Sequence, residues 1–573
     1  MRLFEDILHF RKCAVALMPL GVAMLLLAGC GGSPSSGGGV TALPSPSLIF
    51  STYLGGSQPC PTCTSAHTYA QNAASDALGN TYVTGATEVT DLPVKNAWQP
   101  SLPTGATMAA FVAKYDPSGK MLWCTYLGGN NQSQGTGIAA MPGGGVAVVG
   151  MTTSDSSGPF PTLNPYQKDY NGQSDYFVTV FDGDGNVLYS TYFGGSGMEG
   201  EAPNNYTDDN SNGNNVSVDA RGLVYVTGTT NSLAKFPVTQ NALQPGLAGS
   251  TDSTDAFLSI IDPTKTGQAS LIYSSYLGGK GNEKGHSVTA NAAGSLIAVA
   301  GYTDSDDFPT TSNAYRSKHA PPGWTSNGFV TQFTSSVPGD LSSQYTMRYS
   351  TYLGGNSSVA RDDTYGMTMD LNGLIVATGR TQSADFPMLG PTAPSIYNSA
   401  PYLQPGVSND EPYIVKIDPT LSGAASLVYA TFLGGGSTTG GGGAFCTSVA
   451  VDFMGSTYVG GETSCQGILY TPASQPVQAP QFFPYTQDAL LPALQGSTNA
   501  MLMQVSPGGG TLVYSTFLGG TASDRTYGLA VDPTGNVVIS GLTFSRDFPV
   551  KNPAQNWPNN PGSQNAFVAK FGR

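Results

Sequence analysis

The sequence predicts an all-β protein assembled from seven copies of one four-stranded unit, and three observations predict it. Of 573 residues, 74 are Gly and only 10% are charged, a composition suited to many short strands joined by turns rather than to long helices. An anchor of the form Tyr/Phe-Leu/Phe-Gly-Gly occurs seven times, at Tyr53, Tyr126, Tyr192, Tyr276, Tyr352, Phe432 and Phe517, with spacings of 66 to 85 residues. Two further strand-like segments recur in step with it, so the repeat is the unit to be explained.

Each unit reads as strands a, b, c and d. Strands a and b form a hairpin around an Asp-x-x-Gly turn, clearest in "LAVDPTGNVVISG", Leu529 to Gly541, where Gly supplies the positive φ of the loop. The second strand recurs as "GNTYVTG", "GGVAVVG", "GLVYVTG", "SLIAVAG", "GLIVATG" and "GSTYVGG". Strand c is the "AFVAKYDPSG" segment from Ala110, with relatives near Tyr176, Ala256, Gly328, Pro412, Ala500 and Ala566, and it runs through a short turn into strand d, "YSTYLGG". Four antiparallel strands per unit and seven units predict a seven-bladed β-propeller, whose blades bury their faces against one another.

The two ends of the chain are complementary. "LIFSTYLGG", Leu48 to Gly56, is a strand d without a preceding strand c, and the chain closes on "NAFVAKFGR", Asn565 to Arg573, a strand c without a following strand d. Pairing the N-terminal d strand with the C-terminal c strand completes the seventh blade. An open array would instead carry capping repeats at both ends.

Residues 1–29 read as a targeting segment and stand outside the fold. Arg11 and Lys12 precede an apolar run, Ala14 to Ala28, too short for a convincing membrane span, that ends in "LAGC". That tetrapeptide resembles a bacterial lipobox, which implies a lipoprotein signal peptide and lipidation of Cys30. The stretch 30–47 then has the composition of a Gly/Ser/Pro tether, and 48–573 is the propeller. The reading places the protein in the bacterial envelope, extracytoplasmic, touching the membrane through the lipid alone. A net charge of -14 and a pI near 4.6 argue against a nucleic acid or an anionic membrane surface as partner, since phosphate binding needs a basic face.

The joint pattern "YSTYLGG", "AVDxxGNxYVTGxTxSxDFP", "DAFVAKxDPxG" resembles the SBBP-type β-propeller repeat family from Leu48 to Arg573. The resemblance implies architecture; that family has no general catalytic motif to carry over. Blade six departs most, with "SCQGILYTPASQPVQAPQFFPYTQ", Ser464 to Gln487, where other blades have "DFP".

Short a-to-b and c-to-d turns and long d-to-a and b-to-c loops put all the long loops on one face, the expected binding surface. The b-to-c loops carry Asp91, Asp307, Asp385 and Asp547 in "DFP"-type motifs, and Glu283, Asp362 and Asp524 recur eight residues before the a–b turn. All seven acids are candidates for the ligand face or channel mouth, set against a structural role as loop caps. Asp208, Asn210, Asn212 and Asp219 follow the spacing of a calcium loop, making calcium the one candidate cofactor. Of the cysteines, Cys446 with Cys465 and Cys60 with Cys63 are candidate disulfides, which export permits. Trp98, Trp324, Phe482, Phe483, Tyr485 and Trp557 are loop aromatics suited to stacking on a sugar or anchoring a protein.

No catalytic constellation emerges. His67, His286 and His319 fall in unrelated loops, without a zinc helix or a nucleophile elbow. The expected function is a non-catalytic binding or assembly scaffold that presents its long loops to a protein or glycan. The alternative is a polysaccharide-acting hydrolase or lyase using acids of the channel mouth. Metabolic labelling with palmitate tests the lipobox: the wild-type chain should take up label and Cys30→Ser should not, and equal labelling of both would refute it.

Overall fold

A computed structural model describes residues 46–572 apart from 201–213, 251–252, 320–325, 336–344, 357–360, 384, 388–409, 435–442, 472–481 and 559–563. Cys30, Asp208, Asn210, Asn212 and Trp324 therefore lie outside the described residues. The strands form seven four-stranded sheets, each in the order a-b-c-d and antiparallel throughout. Blade one is representative: Thr68–Ser75, Thr81–Thr87, Ala109–Tyr115 and Met121–Leu127. This is a seven-bladed β-propeller.

Strand c shows why the blades stack. Ala109–Tyr115, "AAFVAKY", is buried at every position, because a sheet covered on both faces needs apolar residues on both rather than in alternation. Strand a lies innermost. The seven a strands surround a central channel, which encloses a cavity of about 250 Å³.

Blade seven is built from both ends of the chain. Its a, b and c strands are Asp524–Val531, Val537–Thr543 and Asn565–Gly572, and its outer strand is Ser47–Leu54. The last two pair from Ser47 opposite Gly572 to Leu54 opposite Ala566, with one irregularity between Leu48 and Phe50. Phe50 and Leu54 of that strand also pack with Ala70, Val83 and Phe111 of blade one. The front of the chain thus belongs to blade seven by hydrogen bonding and to the next interface by packing.

One feature of strand a explains a glycine in strand b. In six blades strand a carries a bulge, so that the ladder register steps over Gln71, Thr136, His286, Tyr365, Thr447 and Tyr527. The bulge pushes the carbonyl of the residue two before it against strand b: a Cβ on Gly85 would sit 1.9 Å from the Tyr69 oxygen, and on Gly541 1.8 Å from that of Arg525. Only Gly fits there. A bulge also turns its side chain out of the regular alternation, here at the upper end of the channel.

The long b-to-c loops fold back along the blade rim. Lys95 bridges to Cys124, Leu163 to Ser190, Leu491 to Phe517 and Lys551 to Ser51, all on strand d. Each bridge covers an edge that would otherwise offer unpaired backbone groups to another chain. Asn96, Asn164 and Asn552 adopt positive φ (45°, 52° and 47°) where these loops turn onto the rim, which accounts for Asn in "NAWQ", "NPYQ" and "NPAQ".

Blade six keeps the motif that the sequence reading had replaced by an insertion. The Phe483 ring packs at a tilt 4.6 Å from that of Phe517, and Ser515 Oγ donates to the Pro484 carbonyl at 2.5 Å, as Ser350 does to Pro309 in blade four at 2.6 Å. The departure is an insertion ahead of a retained Phe-Pro, with a small parallel bridge between Gly467–Leu469 and Phe483–Tyr485.

Deleting Leu48 to Gly56 removes Phe50 and Leu54 from a buried cluster and leaves the Asn565–Gly572 edge open. The melting temperature should fall by about 10 °C or more; calorimetry giving an unchanged transition would contradict closure by this strand.

Candidate functional site

The Gly-Gly anchor is held by three side chains from three different segments. The first Gly is clasped by the Gln of the "NAWQ" type: Gly128 N–H donates to Gln99 Oε1 at 3.0 Å while Gln99 Nε2 donates to the Gly128 carbonyl at 3.1 Å, and Gln555 treats Gly55 likewise. Gln167 and Gln244 accept from Gly194 and Gly278, and Arg316 replaces Gln at Gly354. The second Gly donates to the acid that opens strand a: Gly279 to Glu283, Gly355 to Asp362 and Gly520 to Asp524, each at 2.8 Å. The next residue donates to the "DFP" acid: Ser57 to Asp91, Lys280 to Asp307, Asn356 to Asp385 and Thr521 to Asp547, at 2.8 to 2.9 Å.

These contacts say where the seven candidate acids stand. Glu283, Asp362 and Asp524 are buried, not at the channel mouth; each also accepts from a strand-b Thr, namely Thr303, Thr381 and Thr543. Burial pushes the Glu283 carboxyl up to about 7 and raises Asp362 and Asp524 as well. Asp91, Asp307, Asp385 and Asp547 are at the surface but spend their oxygens on loop amides. The Lys280 N–H holds Asp307 below the usual carboxylate range, and the Thr521 N–H does so for Asp547. The Phe of each motif packs inward, as Phe308 does 4.6 Å from Phe329 and Phe548 4.5 Å from Phe567.

What differs between copies is the second residue of strand a and its partner across the ladder in strand b. These pairs are Tyr69 with Ala86, Gln134 with Met151, Lys284 with Tyr302, Asp363 with Arg380, Phe445 with Glu462 and Arg525 with Leu542. They form a layer at the long-loop end of the inner strands, together with the bulge residues. Blades four to seven make its charged arc. Lys284 lies over the Tyr302 ring at 5.5 Å, and burial pulls its ammonium below the ordinary value against the attraction of Asp363. His286, a strand residue rather than a loop one, sits between Tyr302 and Tyr365 at 5.6 and 5.2 Å, its Nδ1 2.9 Å from the Thr364 carbonyl. Arg380 joins Asp363 at 2.9 Å and Asp410 at 3.5 Å, above Tyr365. Arg525 crosses to Glu462 of blade six at 2.9 Å. Tyr69 and Met108 of blade one with Tyr527 and Leu542 of blade seven make a neutral cluster next to Arg525.

Lys284, Tyr302, Arg380, Phe445, Arg525 and Tyr527 remain half-buried and open to solvent. The layer combines aromatic faces with fixed cations and acids, a mixture able to bind hydroxyl- and amide-bearing ligands. Sequence reading missed it because its members share no residue type; the signal available was variability inside an otherwise regular frame. Below it the channel is lined by Asn72 to Ser75, Ile138 to Ala140, Ser287 to Thr289, Ser448 to Ala450 and comparable segments, all uncharged. A further aromatic surface lies on the rim, where the exposed Trp98 borders a cavity of about 370 Å³ with Pro103, Asn130 and Pro159.

Of the calcium candidates, Asp219 is described and is the hairpin-turn residue. One oxygen accepts from the Arg221 and Leu223 amides, the other from the Arg221 guanidinium at 2.6 Å and from Tyr225. Cys60 and Cys63 form a disulfide in the first long loop, with Cα atoms 5.0 Å apart. Cys446 and Cys465 do not: both are buried free thiols, because the ladder partner of Cys446 is Gly461 and Cys465 lies past the end of strand b. Burial pushes these thiols up to about 12 and about 11.

No family model matches the chain, and no curated protein matches it. Among solved structures it is similar to the WD40 repeats of RRP9, at 8% identity and TM-score 0.38, covering 92% of this chain and 99% of that one. It is similar to a puromycin hydrolase, at 11% and 0.35, covering 86% and 53%. It is also similar to the quinohemoprotein alcohol dehydrogenase of Comamonas testosteroni, at 10% and 0.32, covering 92% and 76%.

The first Gly of two anchors lies under paired carboxyls. A Cβ on Gly194 would meet Asp175 and Glu199, and one on Gly278 would meet Asp255 and Glu283. Burial pushes Asp175 up to about 8 and Asp255 to about 6. Raised values mean that the folded protein holds protons the unfolded chain has lost, so this stability is full below about pH 4 and drains away as pH rises towards 8. Blades four, six and seven place Asn327, Asn499 and Asn565 where these aspartates stand. Asp175→Asn/Asp255→Asn should therefore raise the melting temperature at pH 8 by about 2 °C or more and flatten its decline from pH 5; parallel wild-type and variant profiles would contradict the pairing.

Proposed function

We propose that the chain is a member of the SBBP-type β-propeller repeat family, anchored in the bacterial envelope by lipid on Cys30, and that it works as a non-catalytic binding scaffold. Its long-loop face would take a protein or glycan over the upper end of the channel. The observation that carries this reading is the mouth layer: the frame repeats in blade after blade while the pairs from Tyr69/Ala86 to Arg525/Leu542 differ. Structure accounts for what repeats; the half-exposed Lys284, Tyr302, Arg380 and Tyr527 differ from their counterparts in other blades, as a surface shaped for a ligand would.

The carboxylates speak against hydrolysis. A glycosidase needs two free carboxyl groups flanking the scissile bond. Asp363 is paired with Arg380, Glu462 with Arg525, and among the described residues no acid lines the channel cavity. Binding by the mouth layer requires no proton transfer.

A glycan array and a pull-down from envelope extract test the reading, each with wild type and with Lys284→Ala/Tyr302→Ala. The double variant should lose about tenfold or more in affinity for whatever wild type retains, with melting unchanged within a few degrees. Retention undiminished in the variant removes the mouth layer from the function, and turnover of any polymer defeats the scaffold reading itself.

A further inference from the structure

The short-turn face carries its own pattern. The most exposed large apolar side chains among the described residues are Leu371 (87%), Leu78 (79%), Phe453 (66%) and Met454 (65%). All four stand at the two middle positions of a–b turns, in blades one, five and six. Because the a strands line the channel, their turns ring its lower end. The turns do not require these side chains: Asp76, Asp370 and Asp452 make the backbone geometry, each accepting two amide hydrogen bonds at 2.9 to 3.0 Å from its own turn, and Gly79, Gly373 and Gly455 supply the positive φ. Other blades fill the same positions with Ala292, Pro142 or Thr534. Four large apolar groups are thus held out at turn tips where the turn geometry itself does not call for them.

The chain enters the propeller on this same face. Strand Ser47–Leu54 starts opposite Gly572, the end of strand c, and Pro46 lines a small cavity with Gly535 and Val537 of the blade-seven turn. Cys30 lies seventeen residues upstream of Ser47, a length of chain that spans at most about 60 Å. We infer that the short-turn face docks on the surface of a neutral lipid bilayer, with Leu78, Leu371, Phe453 and Met454 entering the interface. This rests on the lipid at Cys30 proposed above. An anchor at that distance keeps the apolar tips at high effective concentration next to the bilayer, so a contact too weak to bind alone suffices. The carboxylates of these three turns do not oppose it: Asp76, Asp370 and Asp452 accept from their own turns, and Asp370 is closed off by Lys416 at 2.8 Å.

The test uses the full lipidated chain on vesicles of phosphatidylethanolamine and phosphatidylcholine. Met454→Cys is labelled with an environment-sensitive dye, the remaining free thiols being buried, and Ser157→Cys on the long-loop face serves as control. The expected result is flotation with the vesicles, a blue shift at position 454 alone, and about a twofold or greater loss of its emission with lipids bearing acyl-chain quenchers. Flotation without a shift overturns the docking and leaves the anchor standing. Failure to float overturns the anchor and the docking with it. A shift that appears without vesicles and grows with protein concentration assigns the tips to a second copy of the chain and overturns the lipid assignment.

Discussion

The ladder between Ser47–Leu54 and Asn565–Gly572 is the interaction on which the rest depends. A propeller blade is buried on both faces by its neighbours, so no blade is complete until the ring is, and the ring exists only if its last sheet is made from both chain ends. Phe50 makes the dependence concrete: it stacks 6.1 Å from Tyr115 of blade one, and a Cβ on Gly119 would lie 2.4 Å from its ring. A strand that belongs by hydrogen bonds to one blade and by packing to the next cannot leave without opening both. Closure also disposes of the sheet edge that a linear array would present to other chains.

Within the closed ring, the Gly-Gly anchor is the joint at which each blade is fixed to the next. The three clasping groups come from the b-to-c loop, the start of strand a and the "DFP" turn, so one pair of peptide units ties four segments together. Because the joint fixes where the loops begin and end but not what lies between, the spacing of anchors can range from 66 to 85 residues without disturbing the frame. It also uses up the acids. A carboxylate that accepts from Gly279, Thr303 and, through Ser305, the following turn has little left to offer a ligand.

That is why architecture was legible in the sequence and the site was not. Seven anchors, hairpins around Asp-x-x-Gly and the orphaned "LIFSTYLGG" need only periodicity and turn chemistry to be read, and they led to the observed blade count and closure. The direction in which a repeated acid points is a different matter: Glu283 and Asp362 recur at a fixed offset whether they line a channel or cap a loop, and burial decides. The bulge at His286 and Tyr365 was hidden for a similar reason, since one extra residue in a strand leaves no mark on composition. In blade six the retained Phe483-Pro484 stood in plain view, but the insertion before it broke the spacing by which its relatives were recognised. Cys446 and Cys465 looked bridgeable by their places on two arms of a hairpin; the register, which sequence does not supply, separates them.

The two ends of the channel are built on opposite rules. At the upper end the frame repeats and the side chains at one layer vary in charge and size, as expected of a surface shaped for something specific. At the lower end the turns are nearly uniform in backbone, and those of blades one, five and six carry apolar tips of interchangeable kind, Leu, Phe and Met, which suits a partner without detailed shape. A rigid ring couples these ends by fixing their separation and direction: whatever holds the short-turn face presents the Lys284–Arg380 arc outward, away from it. Flexible loops on a flexible support would lose that orientation, whereas seven sheets closed on themselves keep it at no further cost in ordering.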